Sequence, residues 1–127
     1  MVKIKSRPVH LDLTRMQFPP MAIVSILHRI SGVLLFLLLP LALYLLHRSL
    51  QSQISFAQLH AFLRMPLIKI LLWMMLSAVG FHLLAGIRHL LMDCGLGEQL
   101  TSARISAYLI IILGVVVMVA AGGWLWV

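Results

Sequence analysis

The stretch MAIVSILHRISGVLLFLLLPLALYLL, Met21 to Leu46, decides the architecture. Its uninterrupted apolar run, Gly32 to Leu46, is too short to cross a hydrocarbon core of about 30 Å, which needs about 20 helical residues. The helix must therefore extend back through Ser31, Arg29, His28 and Ser25. Pro19 and Pro20 mark its start, because proline is tolerated in a first turn and resisted further in. Pro40, deeper in the span, is expected to kink it. Ser25, His28, Arg29 and Gly32 recur at i, i+3, i+4, i+7, which sets them on one helix face. An arginine roughly two turns inside a membrane helix is costly against lipid, so it should face protein, water or an anionic ligand. The other reading is an arginine snorkelling to headgroups, with the serine and histidine bonding to neighbouring helices. This segment by itself supports both.

Working outward, Leu67 to Met92 and Ser106 to Val127 are also long enough to span. The expected fold is an all-α membrane protein with three transmembrane helices, about 21–48, 64–93 and 104–127, in a single domain over 1–127. An N-terminal arm, 1–20, and two short loops complete it. At 62% hydrophobic and 10% charged, with mean hydropathy +1.08, a chain of 127 residues could not hide its apolar surface in water. Lys3, Lys5 and Arg7 give the arm a signal-peptide look, but His10, Asp12, Arg15 and Gln17 interrupt any early apolar core, so the first span should be retained. The net charge of +7 brackets the spans instead of forming one basic face, which argues for lipid headgroups and against nucleic acid. Cys94 is the sole cysteine, so an internal disulfide, a thiolate cluster and covalent haem attachment are excluded. With only Asp12, Asp93 and Glu98 as acids, carboxylate-based hydrolysis and carboxylate-bridged metals are poorly supplied. Phosphate-binding glycine motifs are absent as well.

The second span carries His82, Gly86 and His89 on one face, with Asp93 continuing it. His82 lies about 16 Å along the axis from Asp93, near mid-depth. A neutral imidazole there needs partners for both ring nitrogens, and a haem iron is one candidate. Ala78, Ala85 and Gly86 would leave room for a flat macrocycle. The plainer alternative is a histidine hydrogen-bonded across helices, with the small residues serving packing; for a lone intramembrane histidine that alternative is favoured. His10, His47 and His60 read as solvated. Gly122 and Gly123 are expected to permit close helix contact.

Arg7-Pro8-x-x-Leu11-Asp12-Leu13, Phe18-Pro19, Ser25-Ile26-Leu27-His28-Arg29-x-Ser31-Gly32 and His82-x-x-x-Gly86-x-Arg88-His89-x-x-x-Asp93 occur in that order. Together they resemble the cytochrome b subunits of bacterial succinate dehydrogenase, from the arm to the second loop. The resemblance implies half of a two-subunit helical bundle in the bacterial inner membrane. It implies partnership with a second small membrane-anchor subunit, an iron–sulfur subunit and a flavoprotein subunit, and passage of electrons from succinate to a membrane quinone, expected to be ubiquinone. It places the axial ligand of a haem b, shared with the partner subunit, on His82, and the quinone-binding serine and arginine on Ser25 and Arg29. The haem propionates would lie near His28 and Arg29, and His89 and Asp93 would orient neighbours. The chain would then be a subunit of succinate:quinone oxidoreductase that is not catalytic alone.

The rival readings are the anchor of a fumarate reductase, a bare structural anchor, and a small transporter or proton-conducting subunit with Arg29, His82 and His89 along a water-filled path. Lys3, Lys5, Arg7 and Arg15 in the arm, with Arg88 and Arg104 flanking the second loop, predict a cytoplasmic N-terminus and a periplasmic C-terminus. In intact spheroplasts an impermeant thiol reagent should therefore leave Cys94 unmodified. Labelling from the periplasmic side would reverse the orientation.

Overall fold

The computed structural model describes residues 18–127, and the arm motif from Arg7 to Leu13, like the rest of residues 1–17, lies outside them. Four helices follow in order: α1 (Pro20–Gln51), α2 (Gln53–Leu63), α3 (Pro66–Asp93) and α4 (Leu100–Trp126). Three of them, α1, α3 and α4, are long and apolar enough to cross a membrane. At 1.5 Å per residue they reach about 48, 42 and 40 Å, more than the core alone requires.

The helix ends follow from local chemistry. Pro19 is extended and Pro20 occupies the first turn of α1, where a missing N–H costs nothing. α1 runs through Pro40 as one helix. Ser52 is extended, which ends α1, and its side chain accepts from the Ser55 N–H at 3.1 Å to cap α2. The short helix α2 was not expected: its apolar residues are too few for a span, and hydropathy read the region as loop. Met65 is extended ahead of Pro66, as the residue before proline prefers, and α3 starts there. At its other end Gly95 has φ +79°, its N–H bonds to the Met92 carbonyl at 2.9 Å, and the Leu96 N–H reaches back to Leu91 at 2.9 Å. This is a Schellman stop, and only glycine enters that left-handed region without strain. α4 begins at Leu100, earlier than hydropathy suggested, because Thr101, Ser102 and Arg104 mask its first turn.

α3 packs against both α1 and α4, α4 also touches α1, and α2 lies mainly along α1. The core is small: Val24, Ala85, Ala107 and Ile110, with Met21, Phe81, Leu84 and Ile111 packed against it. Small residues let the helices close. The Phe81 ring occupies the space a side chain on Gly114 would need, with Cδ2 2.6 Å from the ideal Cβ position, and Val117 likewise fills the position facing Gly80. Gly122 receives the Trp73 indole, whose Nε1 donates to the Met118 carbonyl at 2.8 Å, whereas Gly123 faces open space. Only the first of that expected glycine pair serves helix contact. Large apolar residues such as Phe36, Leu37 and Leu83 stay exposed on the outer faces, as lipid or partner helices would require. Arg88, read from the sequence as a charge flanking the second loop, is instead buried between α3 and α4, 6% exposed.

Candidate functional site: a histidine stack between α1 and α3

The polar face of α1 meets that of α3 through two reciprocal slots. Gly32 of α1 faces the His82 ring, whose Cε1 is 3.1 Å from where a Cβ would sit. Gly86 of α3 faces His28, whose Nε2 is 3.4 Å from the equivalent point. Each helix thus offers a glycine to the other helix's histidine. The result is a column of three imidazoles, with His28 stacked on His82 at 4.1 Å between centroids and on His89 at 5.0 Å, the planes within 21° and 18° of parallel.

Two oxygens beside the ring bear on the tautomer of His82. Its Nδ1 lies 3.0 Å from Ser31 Oγ and 3.2 Å from the His28 carbonyl oxygen. Ser31 donates its own hydroxyl proton to that carbonyl at 2.8 Å. A bare Nδ1 would set a lone pair against the carbonyl oxygen, so Nδ1 carries the hydrogen and donates to these two oxygens. The Nε2 lone pair of His82 is then free to bind a metal or accept a proton. His89 is held similarly, its Nδ1 2.7 Å from the Ala85 carbonyl. Among the described residues His28 Nε2 is buried with no hydrogen-bond partner, an unmet polar group of the kind that a ligand satisfies.

The two sequence readings of His82 are therefore compatible, because cross-helix bonding uses Nδ1 and leaves Nε2. The small residues divide differently. Ala85 is fully buried in the core and Gly86 accommodates His28, so both serve packing. Ala78 lines an apolar cavity of about 360 Å³ that also borders Ser31, Phe81 and Gly114. Ser31, 7% exposed, is the site residue that sequence reasoning did not single out; its place one turn after His28 was the available signal.

Ser25, His28 and Arg29 share a face by spacing, but the bundle separates them. His28 turns into the α1–α3 contact, Ser25 is half-buried, and Arg29 stays exposed beside Ile30, Val33 and Leu37. Among the described residues neither the Ser25 hydroxyl nor the Arg29 guanidinium has a side-chain hydrogen bond. Asp93 is exposed at the end of α3, apart from the column. Among the described residues no three His, Cys, Asp or Glu side chains converge to chelate a metal. A site of this kind suits a metal that brings its own equatorial ligands and needs one imidazole from this chain.

Two comparisons bear on the site. The family model for the succinate dehydrogenase/fumarate reductase transmembrane subunit matches residues 3–121. The succinate dehydrogenase cytochrome b556 subunit of Coxiella burnetii is 54% identical over 121 residues, covering 94% of this chain and 97% of that protein.

Replacing Ser31 by alanine removes one acceptor of the His82 Nδ1 hydrogen while the His28 carbonyl remains. The expected loss is about 1 kcal/mol, read as a lowered midpoint on detergent denaturation of the purified protein. An unchanged midpoint would show that the carbonyl alone holds the ring.

Proposed function

Because this chain belongs to the succinate dehydrogenase/fumarate reductase transmembrane subunit family and is a cytochrome b556-type membrane anchor of succinate dehydrogenase, we propose that His82 is one axial ligand of its haem b and that Ser25 and Arg29 hold the quinone headgroup. The observation that carries the reading is the occupied Nδ1 and free Nε2 of His82. An imidazole that donates through one nitrogen to a protein oxygen is oriented, made more basic, and ready to coordinate through the other. With its ring stacked on the face of His82, His28 would not be placed to hold the same haem. A further ligand would then be supplied by a partner chain, the second small anchor subunit with which this chain would form a shared bundle.

Bound there, haem b supplies a one-electron carrier. Around it, Ser31 and the His28 carbonyl hold the ligand's tautomer. The orphaned His28 Nε2 suits a propionate oxygen, with Arg29 as the neighbouring cation. His89 backs the His28 ring, and Asp93 lies further along α3, at its exposed end. Ser25 and Arg29, one turn apart, flank the column on α1. The serine hydroxyl donates to one quinone carbonyl, and the permanent charge of Arg29 steadies the negative charge that develops on reduction. Electrons arrive from an iron–sulfur subunit, fed by a flavoprotein subunit, both docked on the cytoplasmic side of the inner membrane. The acceptor is taken to be ubiquinone.

The haem assignment is tested by His82→Leu, which keeps bulk and removes the ligand. The reduced-minus-oxidised spectrum of the purified complex should lose its low-spin b-type signal or convert it; an unchanged bis-histidine spectrum would refute the assignment.

The quinone assignment is tested by comparing succinate oxidation with a soluble dye that accepts electrons upstream against oxidation with a quinone analogue. Ser25→Ala should weaken the quinone step by about 1 kcal/mol, or up to about 3 if a carbonyl is left unsatisfied, and Arg29→Leu by more, with dye reduction kept in both. Full quinone activity in both variants would sink the assignment, while equal loss with dye and quinone would indicate failed assembly.

A further inference from the structure

Arg88 stands outside the histidine column, on the side of α3 that faces α4. Its Nε donates to Ser106 Oγ at 3.0 Å and its Nη2 to the Ala103 carbonyl at 3.0 Å. Both partners are neutral. The two acids among the described residues, Asp93 and Glu98, are exposed, and neither pairs with it. Among the described residues this guanidinium, 6% exposed, has no counter-charge, which is costly in a protein interior.

Arg88 lines a cavity of about 360 Å³ between α3 and α4. Ser102 and Ser106 border its polar side, and Leu84, Ile87, Leu91 and Leu109 its apolar walls. Ile87, Leu91 and Leu109 are each about half exposed, so the walls continue onto the outer surface. The same cavity reaches the start of α4, whose N-cap residue Gln99 provides no side-chain bond to the first-turn N–H groups. Those groups and the helix dipole add to the positive potential. Depth is informative as well. α3 is about 42 Å long, leaving about 6 Å beyond the hydrocarbon core at each end. Arg88 lies about 7.5 Å from the Asp93 end, close to the boundary where phospholipid phosphates begin.

We propose that this cavity binds the phosphate of an anionic membrane phospholipid, with Arg88 as counter-ion, Ser102 as hydrogen-bond donor and an acyl chain along Ile87, Leu91 and Leu109. A lipid joins the two requirements of the cavity, a fixed anion at its polar end and hydrocarbon along its exposed walls. The bound phosphate would then neutralise the charge that holds α4 to α3.

The test uses the assembled complex, stripped of lipid by detergent exchange and then supplied with phosphatidylglycerol, diacylglycerol or inorganic phosphate while its thermal stability is followed. Phosphatidylglycerol should restore stability in a saturable manner, and diacylglycerol and inorganic phosphate should not. Arg88→Gln should weaken the apparent phosphatidylglycerol affinity about tenfold, equivalent to about 1.4 kcal/mol. Because that variant also loosens α4, Ser102→Asp gives a second arm. It places a carboxylate beside an intact Arg88 and should lower the affinity by a similar factor with the fold retained.

Restoration by diacylglycerol as effective as by phosphatidylglycerol would overturn the proposal, as would an affinity unaltered in both variants. Equal rescue by inorganic phosphate would make the site one for free anions. Full stability after lipid removal would assign the cavity to a partner-subunit carboxylate. Either result also rejects the lipid site.

Discussion

The Nδ1 hydrogen of His82, held between Ser31 Oγ and the His28 carbonyl, sets the geometry on which the site depends. A neutral imidazole has one donor and one acceptor nitrogen, so committing the donor to α1 determines what the ring can offer elsewhere. The commitment requires α1 and α3 to approach closely, and Gly32 and Gly86 permit that by leaving slots for the opposing histidines. Within lipid, where water cannot complete unsatisfied hydrogen bonds, this cross-helix pairing both joins the helices and orients the ring.

Arg29 and Arg88 illustrate how membrane burial sorts identical side chains. Arg29 projects from α1 at an exposed position, where its long stem can lie along Ile30, Val33 and Leu37 while the charge remains available. Arg88 is withdrawn and fastens α4 to α3 through a serine and a carbonyl. The first keeps its charge at the surface, whereas the second holds a contact between helices. On α1 the residue before Arg29, His28, turns inward while Arg29 stays out, because adjacent positions on an α-helix differ by about 100° in direction.

The internal core is slight, and much of the apolar surface faces outward. In water that balance would be untenable, but between helices in a membrane there is little hydrophobic gain to collect. Close packing at Gly80, Gly114 and Gly122 takes its place. The exposed apolar residues are then left for lipid and for partner subunits, and the imidazole column lies where α1 meets α3.

The spans, their order and the positions of the histidines were legible in the sequence because hydropathy over about 20 residues and the 3.6-residue period are local properties. The proline-defined start of α1 was legible for the same reason, since Pro20 acts on its own turn, whereas the start of α3 at Pro66 was placed only by the structure. α2 was missed because a short helix without a span leaves too weak a local signal. Which nitrogen of His82 is engaged, the division of labour among Ala78, Ala85 and Gly86, and the burial of Arg88 were decided by tertiary structure alone. Each depends on atoms of a second helix lying within hydrogen-bonding or van der Waals reach. Periodicity within one helix specifies a face, but what that face meets is a property of the packed bundle.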